Sequence, residues 1–344
     1  MEKAFQSGAT RPVVHIHDHF YGLAMLPCSL CGNAEQNVIH SAREMMFGTK
    51  DEFTYIECAV CGCLQLANIP ADLSRYYPRE YYSLKRAHVN PDTPLARFMR
   101  LRRTAYYLGG KTLIGSLIAR IRGAPFWLEW FKHSLVSLDS AVLDVGCGTG
   151  EALLSLRREG FRNLTGVDPF ITEDIHYEEG VTVFKREPAQ LQGQFDVIML
   201  HHSYEHMPNQ LQTLQTLHAL LKSNGTLLIR VPLASSLAWK KYGTNWVQLD
   251  PPRHLFLHTT RSMQLLAAQA KFVIAEIAYD SNALQFWGSE QYTKNIPFLS
   301  EQSWAKHPEQ SIFTKEQIAE FERQAQALNK AEQGDQACFY MHKI

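Results

Sequence analysis

One run constrains this chain more than any other: Val142-Leu143-Asp144-Val145-Gly146-Cys147-Gly148-Thr149-Gly150. Its first four residues read as a short buried strand, and Glu151 onward as a helix. A glycine-rich turn between strand and helix lets backbone approach a ligand closely and presents N–H groups at the helix start. Dinucleotide folds use the spacing G-x-G-x-x-G for this purpose. Here the spacing is Gly146-x-Gly148-x-Gly150, and Glu151 stands where the third dinucleotide glycine would fall. An acidic side chain beside a pyrophosphate is unfavourable, so the loop predicts a cofactor without phosphates. Asp168 ends the next strand, 22 positions after Gly146. A carboxylate there can accept hydrogen bonds from both hydroxyls of a ribose.

From Ser140 onward, strands and helices alternate, which predicts a parallel α/β sheet. The strands are 141–145, 164–167, 181–184, 195–200 and 226–231, the last entered through a turn at Asn224-Gly225. Phe272–Tyr279 and Leu284–Tyr292 read as two further strands. The tail from 310 reads as a Gln- and Glu-rich helix. The organisation expected is a leader over 1–25, a cysteine module over 26–69, a Tyr-rich and helical linker over 70–139, the α/β domain over 140–292 and a helical tail over 293–344. In the leader, His15, His17 and His19 alternate, and the reading preferred is a solvated histidine run.

Loop, preceding Asp144 and following Asp168 together resemble the class I S-adenosylmethionine (SAM)-dependent methyltransferases, over 140–292. That resemblance implies a Rossmann-like seven-stranded sheet with its last strand antiparallel. It implies that Asp144, Gly146, Cys147, Gly148 and Gly150 surround the methionine part of SAM, and that Asp168 holds the ribose. Leu200 and His201, after strand four, match positions that line the cofactor. Glu187 is the nearest match to an acidic residue at the adenine, although Pro188 departs from the usual pattern.

Ligands of such sheets sit beyond the carboxyl ends of the strands, where the chain reads His201-His202-Ser203-Tyr204-Glu205-His206-Met207-Pro208. Methyl transfer to a hydroxyl or acidic carbon requires removal of a proton, and histidine suits that task near neutral pH. The string resembles the H-S-x-E-H form of a methyltransferase subgroup, which implies that Glu205 and His206 lie near the acceptor. A second histidine lies in Trp246-Val247-Gln248-Leu249-Asp250-Pro251-Pro252-Arg253-His254, where two prolines stiffen the loop. The same subgroup carries a similar stretch over its active site, so His254 joins the catalytic candidates. Arg253 either contacts an acceptor anion bidentately or forms a salt bridge with Asp250.

Seven cysteines are present. Cys28-x-x-Cys31-Gly32 and Cys58-x-x-Cys61-Gly62 form two pairs separated by 26 residues. Four thiolates so arranged can close a tetrahedral zinc site, with each following glycine permitting the turn around the metal. Cys63 reads as a bystander. Such a closed site does no chemistry, so the expected zinc is structural. Zinc ribbon, Tyr-rich segment and methyltransferase in that order resemble the zinc-ribbon methyltransferases among sugar-modifying enzymes. That resemblance, over 26–292, makes Tyr76, Tyr77, Tyr81 and Tyr82 candidates for contact with cofactor or acceptor, Tyr76 being taken as catalytic.

The expected activity is O-methylation of a sugar hydroxyl on a nucleotide-linked sugar or glycan precursor. C-methylation of a nucleotide-linked keto sugar ranks second, because a further C-terminal domain of those enzymes is absent here. The 34 basic and 34 acidic residues cancel, and the stretch 28–63 is itself acidic, which argues against a nucleic-acid partner. The intact loop and Asp168 argue against a non-catalytic SAM-binding scaffold. No apolar stretch reaches the ~18 residues of a spanning helix, and no export signal is evident, so the cytoplasm is expected. The Arg-rich helices at 95–122 read as a solvated face ahead of a peripheral contact with a membrane.

Overall fold

The computed structural model describes residues 26–78, 86–89, 92–110, 112–131, 134 and 136–344. The leader histidines and the Tyr81 and Tyr82 candidates lie outside these residues.

The cysteine module contributes β1 (Val38–Arg43), β2 (Glu52–Glu57) and β3 (Leu64–Leu66). Helices α1 (Pro94–Tyr107) and α2 (Leu113–Arg122) follow, and each begins at a threonine whose hydroxyl accepts a backbone N–H of the first turn. The break between them falls at Gly109-Gly110, a glycine pair of the kind that interrupts a helix.

The main sheet then begins with β4 (Ala141–Val145), α3 (Glu151–Arg158) and β5 (Asn163–Val167). The short strands β6 (Ile175–His176) and β7 (Thr182–Phe184) come next, then β8 (Phe195–His201), α4 (Gln210–Leu220) and β9 (Leu221–Pro232). After α5 (Leu237–Tyr242) and β10 (Phe256–Leu257) come α6 (Thr260–Gln269), β11 (Phe272–Tyr279), α7 (Leu284–Thr293), α8 (Lys315–Lys330) and β12 (Gln336–Lys343).

The sheet runs β11-β12-β9-β8-β4-β5-β7-β6. Strands β4, β5, β7, β8 and β9 are parallel, and β12 is antiparallel to both of its neighbours. Three expectations are corrected here. The sheet has eight strands rather than seven, the extra one being the two-residue β6 paired with β7 at the edge. Leu284–Thr293 is a helix, because its aromatic residues pack on two sides and Gly288 lies directly against Val247. The tail is not helical throughout: Gln336–Lys343 enters the sheet between β9 and β11, with Ala337–Met341 fully buried. At Asn224-Gly225 the pairing of β9 with β8 is irregular: Phe195 pairs with Leu221 and Val197 with Thr226.

A second, four-stranded sheet has the order β1-β2-β3-β10. Its first three strands belong to the cysteine module and its fourth to the loop after strand five of the α/β domain. Phe256 and Leu257 pair antiparallel with Gln65 and Leu64. The two parts of the chain therefore share one sheet and one apolar core.

The helical pair α1–α2 is fastened to the α/β domain by buried charge. Glu159 accepts from Arg100 at 2.9 Å, from Arg103 at 3.2 Å and from the Thr104 hydroxyl. Asp92 receives Arg100 and Arg158, and these cations hold its carboxyl down at about 2. Among the described residues no helix is long and apolar enough to cross a membrane.

Candidate active site

At the carboxyl ends of β4, β5 and β8 lies a cleft of about 740 Å³. Asp144, Gly146, Cys147, Gly148, Asp168 and Phe170 line one side of it; His201, His202, His206, Tyr77 and Trp130 line the other. The volume lies in the range of small-molecule sites.

The glycines are required by this geometry. Gly146 has φ +71°, and a Cβ on it would lie 2.5 Å from Cβ of Ser203. The Gly148 N–H donates to Oδ2 of Asp168 at 2.9 Å, and the Phe170 N–H donates to Oδ1 at 2.8 Å. These bonds fix the Asp168 carboxylate at the cleft wall, while burial still pushes its pKa up. Asp144 goes further: burial and the neighbouring charge of Asp168 raise it to about 8. A carboxyl so destabilised as an anion is poised to accept a cationic group. Cys147 faces the same cleft, but its thiol donates to the Gly148 carbonyl at 3.5 Å and burial raises its pKa well above the usual value. A nucleophilic role does not fit such a thiol.

His201 lines the cleft with its ring 3.9 Å from that of Trp130. Neither ring nitrogen has a hydrogen-bond partner among the described residues, and burial lowers its pKa well below the usual value. It is therefore a neutral wall. Leu200, expected beside it, is fully buried in the core and contributes no surface to the cleft. Trp130 was not anticipated. The aromatic-rich run at 126–131 was its only sequence signal, and nothing local ties that run to strand four.

The sequence candidates Glu205, His206 and His254 do come together, each offering a ligand atom within 4.8 Å of the others. Nδ1 of His206 lies 2.8 Å from the Arg253 carbonyl. A carbonyl only accepts, so Nδ1 carries the proton and Nε2 is left as the basic nitrogen. The Tyr77 hydroxyl lies 3.1 Å from the same Nδ1. Nδ1 of His254 is fixed in the same way on the Gln248 carbonyl at 2.7 Å. The two rings meet edge to face with centroids 4.8 Å apart. His206 borders the cleft, whereas His254 packs behind it.

Glu205 is completely buried behind the histidines. Burial opposes its charge, yet Nδ1 of His202 at 3.4 Å and the nearby imidazoles of His206 and His254 hold its carboxyl down at about 2. His202 has φ +51°, an unusual backbone for a residue with a side chain, which is tolerated at sites the surrounding fold over-determines.

Burial and the neighbouring His206 lower the His254 pKa to about 4. An unfolded histidine takes a proton near pH 6.5, and the folded site refuses it until about 4. His254 thus weakens the fold as pH falls through that window, by about 1.4 kcal/mol per unit, and has no such effect above it. Its ring C–H resonances should not titrate above pH 5 in an NMR series; a midpoint near 6 would exclude this assignment.

Tyr76 does not reach the cleft. Its hydroxyl donates to Asp51 at 2.8 Å and its ring packs edge-on against Phe53. The adjacent Tyr77 takes the cleft position instead, stacked parallel to the largely exposed Phe170. Arg253 is not available to an acceptor anion either. It is fully buried, donating to both oxygens of Asp250 at 2.5 and 2.8 Å and to Glu44 at 2.8 Å.

In the cysteine module, Cys28 and Cys61 sulfurs are 3.6 Å apart and Cys31 and Cys58 sulfurs 3.4 Å apart, none of them in a disulfide. The Gly32 and Gly62 N–H groups each close a turn on the first cysteine of their pair at 2.8 Å. Cys63 lies apart, its thiol donating to the Leu64 carbonyl. Beyond the shared sheet, the module holds the histidine loop by the Tyr55 hydroxyl, which donates to the His254 carbonyl at 2.7 Å, and by the Thr259 hydroxyl, which donates to the Cys61 carbonyl at 2.6 Å.

The fold, the glycine loop and its acidic partner are those that the resemblance to the SAM-dependent methyltransferases implies. Consistent with this, residues 125–277 match a family model described as a methyltransferase domain. Over those residues the chain is similar to a methyltransferase domain. Ubiquinone biosynthesis O-methyltransferase of Pseudomonas aeruginosa is 28% identical over 116 residues, 30% of this chain and 50% of that one. Its counterpart in Albidiferax ferrireducens is 27% identical over 205 residues, 52% of this chain and 79% of that one. The chain spans about half the length of the first of these curated relatives. Among solved structures, the cyclopropane synthase MmaA2 from Mycobacterium tuberculosis is similar over 67% of this chain and 86% of that one, at 16% identity and a TM-score of 0.41.

Proposed function

We propose that this chain transfers a methyl group from SAM to a hydroxyl oxygen of a small-molecule or glycan acceptor, with His206 as the base. The observation that carries this reading is His206 itself: an imidazole on the cleft wall, its Nδ1–H fixed on a backbone carbonyl, backed by the buried Glu205 carboxylate. When bound, SAM supplies the electrophilic methyl group. Asp168 and the backbone of Gly146–Gly150 would hold its ribose and methionine portions, and the raised Asp144 carboxyl would meet its ammonium. His206 Nε2 accepts the acceptor's proton, and Glu205 stabilises the imidazolium so formed. His254, Tyr77 and the Arg253 carbonyl orient the base. Such positioned proton transfer contributes about 10²–10⁴ in rate.

Oxygen as the methylated atom is supported by the O-methyltransferase names of the relatives. A sugar acceptor is supported by the resemblance of ribbon, Tyr-rich segment and methyltransferase taken in that order. C-methylation of a keto sugar uses the same base and is the alternative. The four thiols suit a structural zinc ion: thiolates at the usual Zn–S length of ~2.3 Å around a tetrahedral ion lie about 3.8 Å apart, close to the separations found. A free-thiol cluster of this kind suits a reducing compartment, the cytoplasm.

A second reading of the acceptor site rests on Glu205, whose two buried oxygens lack a hydrogen-bond partner among the described residues. With His206 and His254 it could hold a divalent cation that lowers the acceptor's pKa.

The test is a labelled-methyl transfer screen over nucleotide sugars and glycan fragments, with mass analysis of the product. Asp168→Ala should weaken SAM binding about a hundred-fold or more in calorimetry, and unchanged affinity would sink the cofactor assignment. His206→Ala should keep SAM affinity but lose at least about a hundred-fold in transfer. Loss of transfer on chelation with the cysteine module still folded would favour the cation.

A further inference from the structure

Helix α2 is built the reverse of an ordinary surface helix. The residues it buries against α1 are small: Gly115, where a Cβ would lie 2.5 Å from the Arg102 carbonyl, and Ala119. Its large aliphatic residues point the other way. Leu113, Leu117 and Ile121 recur every four residues on the opposite face and are 92%, 60% and 75% exposed, with Ile114 beside them. Leu95 and Phe98 of α1 extend the exposed apolar surface. Solitary exposed apolar residues need no explanation, but a contiguous stripe of this kind marks a contact surface.

The surrounding charge selects the occupant. From Thr93 to Leu128 the sequence holds Arg97, Arg100, Arg102, Arg103, Lys111, Arg120 and Arg122 and not one Asp or Glu. Arg100 and Arg103 are engaged by Glu159. Arg97, Arg102, Arg120 and Arg122 are exposed, and none has a carboxylate partner among the described residues. The chain as a whole, by contrast, is neutral. A second copy of the chain is a poor occupant: a two-fold interface would set this cationic face against itself. Aliphatic side chains ringed by arginine are complementary to an anionic lipid surface, where apolar groups enter the acyl boundary and guanidinium groups meet lipid phosphates.

We infer that the α1–α2 hairpin docks the enzyme on an anionic bilayer. The placement has a consequence for the site, since Trp130, eight residues after Arg122, is already the cleft wall against His201. The docked surface and the cleft are thus joined by one short stretch of chain.

The experiment is flotation of the full chain with vesicles of phosphatidylcholine alone and of phosphatidylcholine with phosphatidylglycerol. Binding should require phosphatidylglycerol. Arg120→Gln with Arg122→Gln should lower the partition coefficient about five-fold per cation. Leu117→Glu with Ile121→Glu should lower it at least about ten-fold. All four positions are exposed, so melting temperatures should not change. Absence of flotation, equal flotation on neutral vesicles, or flotation indifferent to both double variants would overturn the inference. So would a concentration-dependent dimer in sedimentation velocity that the same substitutions dissolve. None of these readouts involves methyl transfer, so the result stands apart from the choice of acceptor.

Discussion

Replacing Cys58 with serine should unfold the module over residues 28–66 and release the loop that carries His254. The module's two knuckles meet through their sulfurs, with Gln65 holding Ser29 and Asn37 holding Ala59 beside them. A structural zinc ion contributes about 10–16 kcal/mol to sites of this type, which is as large as the whole stability of an ordinary domain, about 5–15 kcal/mol. With zinc held as proposed, loss of one thiolate ligand removes a large share of what holds the module together. The damage should not stay there. Tyr55 would no longer hold the His254 carbonyl, nor Thr259 the Cys61 carbonyl, and β10 would lose its partner strand. Metal analysis should show one ion per wild-type chain and none in the variant. Limited proteolysis should cut the variant in both 28–66 and 246–258. An unchanged melting curve and intact methyl transfer in the metal-free variant would refute the structural role.

A second large loss is expected from Arg253→Met. The substitution keeps the volume of the side-chain stem but leaves the buried Glu44 and the partly buried Asp250 without their cation. Breaking a buried ion pair from one side costs about 3–5 kcal/mol, mainly because the remaining charge is stranded. Glu44 is the more exposed to this loss in energetic terms, being fully buried and already committed to the backbone of Phe47 and Thr49. At ~2–4 °C per kcal/mol for a chain of this size, the melting temperature should fall by about 10 °C. Neutralising the carboxylates as well, in Arg253→Met with Glu44→Gln and Asp250→Asn, should recover part of the loss. A triple variant no better than the single one would show that packing, and not stranded charge, sets the cost.

The glycine loop, Asp168 and the two cysteine pairs were legible because each is a local arrangement. Turn geometry and ligand spacing are written in consecutive residues. The histidine pair was half legible: His206 and His254 could each be named, but not their contact, which depends on Phe256–Leu257 crossing to pair with β3. The choice between Tyr76 and Tyr77 was beyond reach for a similar reason, since Asp51 and Phe53 of the module decide which ring turns inward. Two misreadings at the C-terminal side have different origins. Leu284–Tyr292 carries strand-forming aromatic residues, and tertiary packing overrides that preference. Strand β12 did have a signal, the break at Gly334-Asp335 followed by the apolar run Ala337–Met341. The polar helix before it masked the change of pattern.

The shared sheet also sets an order on how the protein is made. Chains emerge from the ribosome N-terminus first, at about 5–20 residues per second. The cysteine module would ordinarily be the first part able to fold, yet its fourth strand is encoded at Phe256–Leu257, about 190 residues after β3. For roughly 10–40 seconds of synthesis, the module's sheet has an open edge at β3. Metal capture during that interval, rather than after release, would keep the nascent module from pairing with the wrong strand.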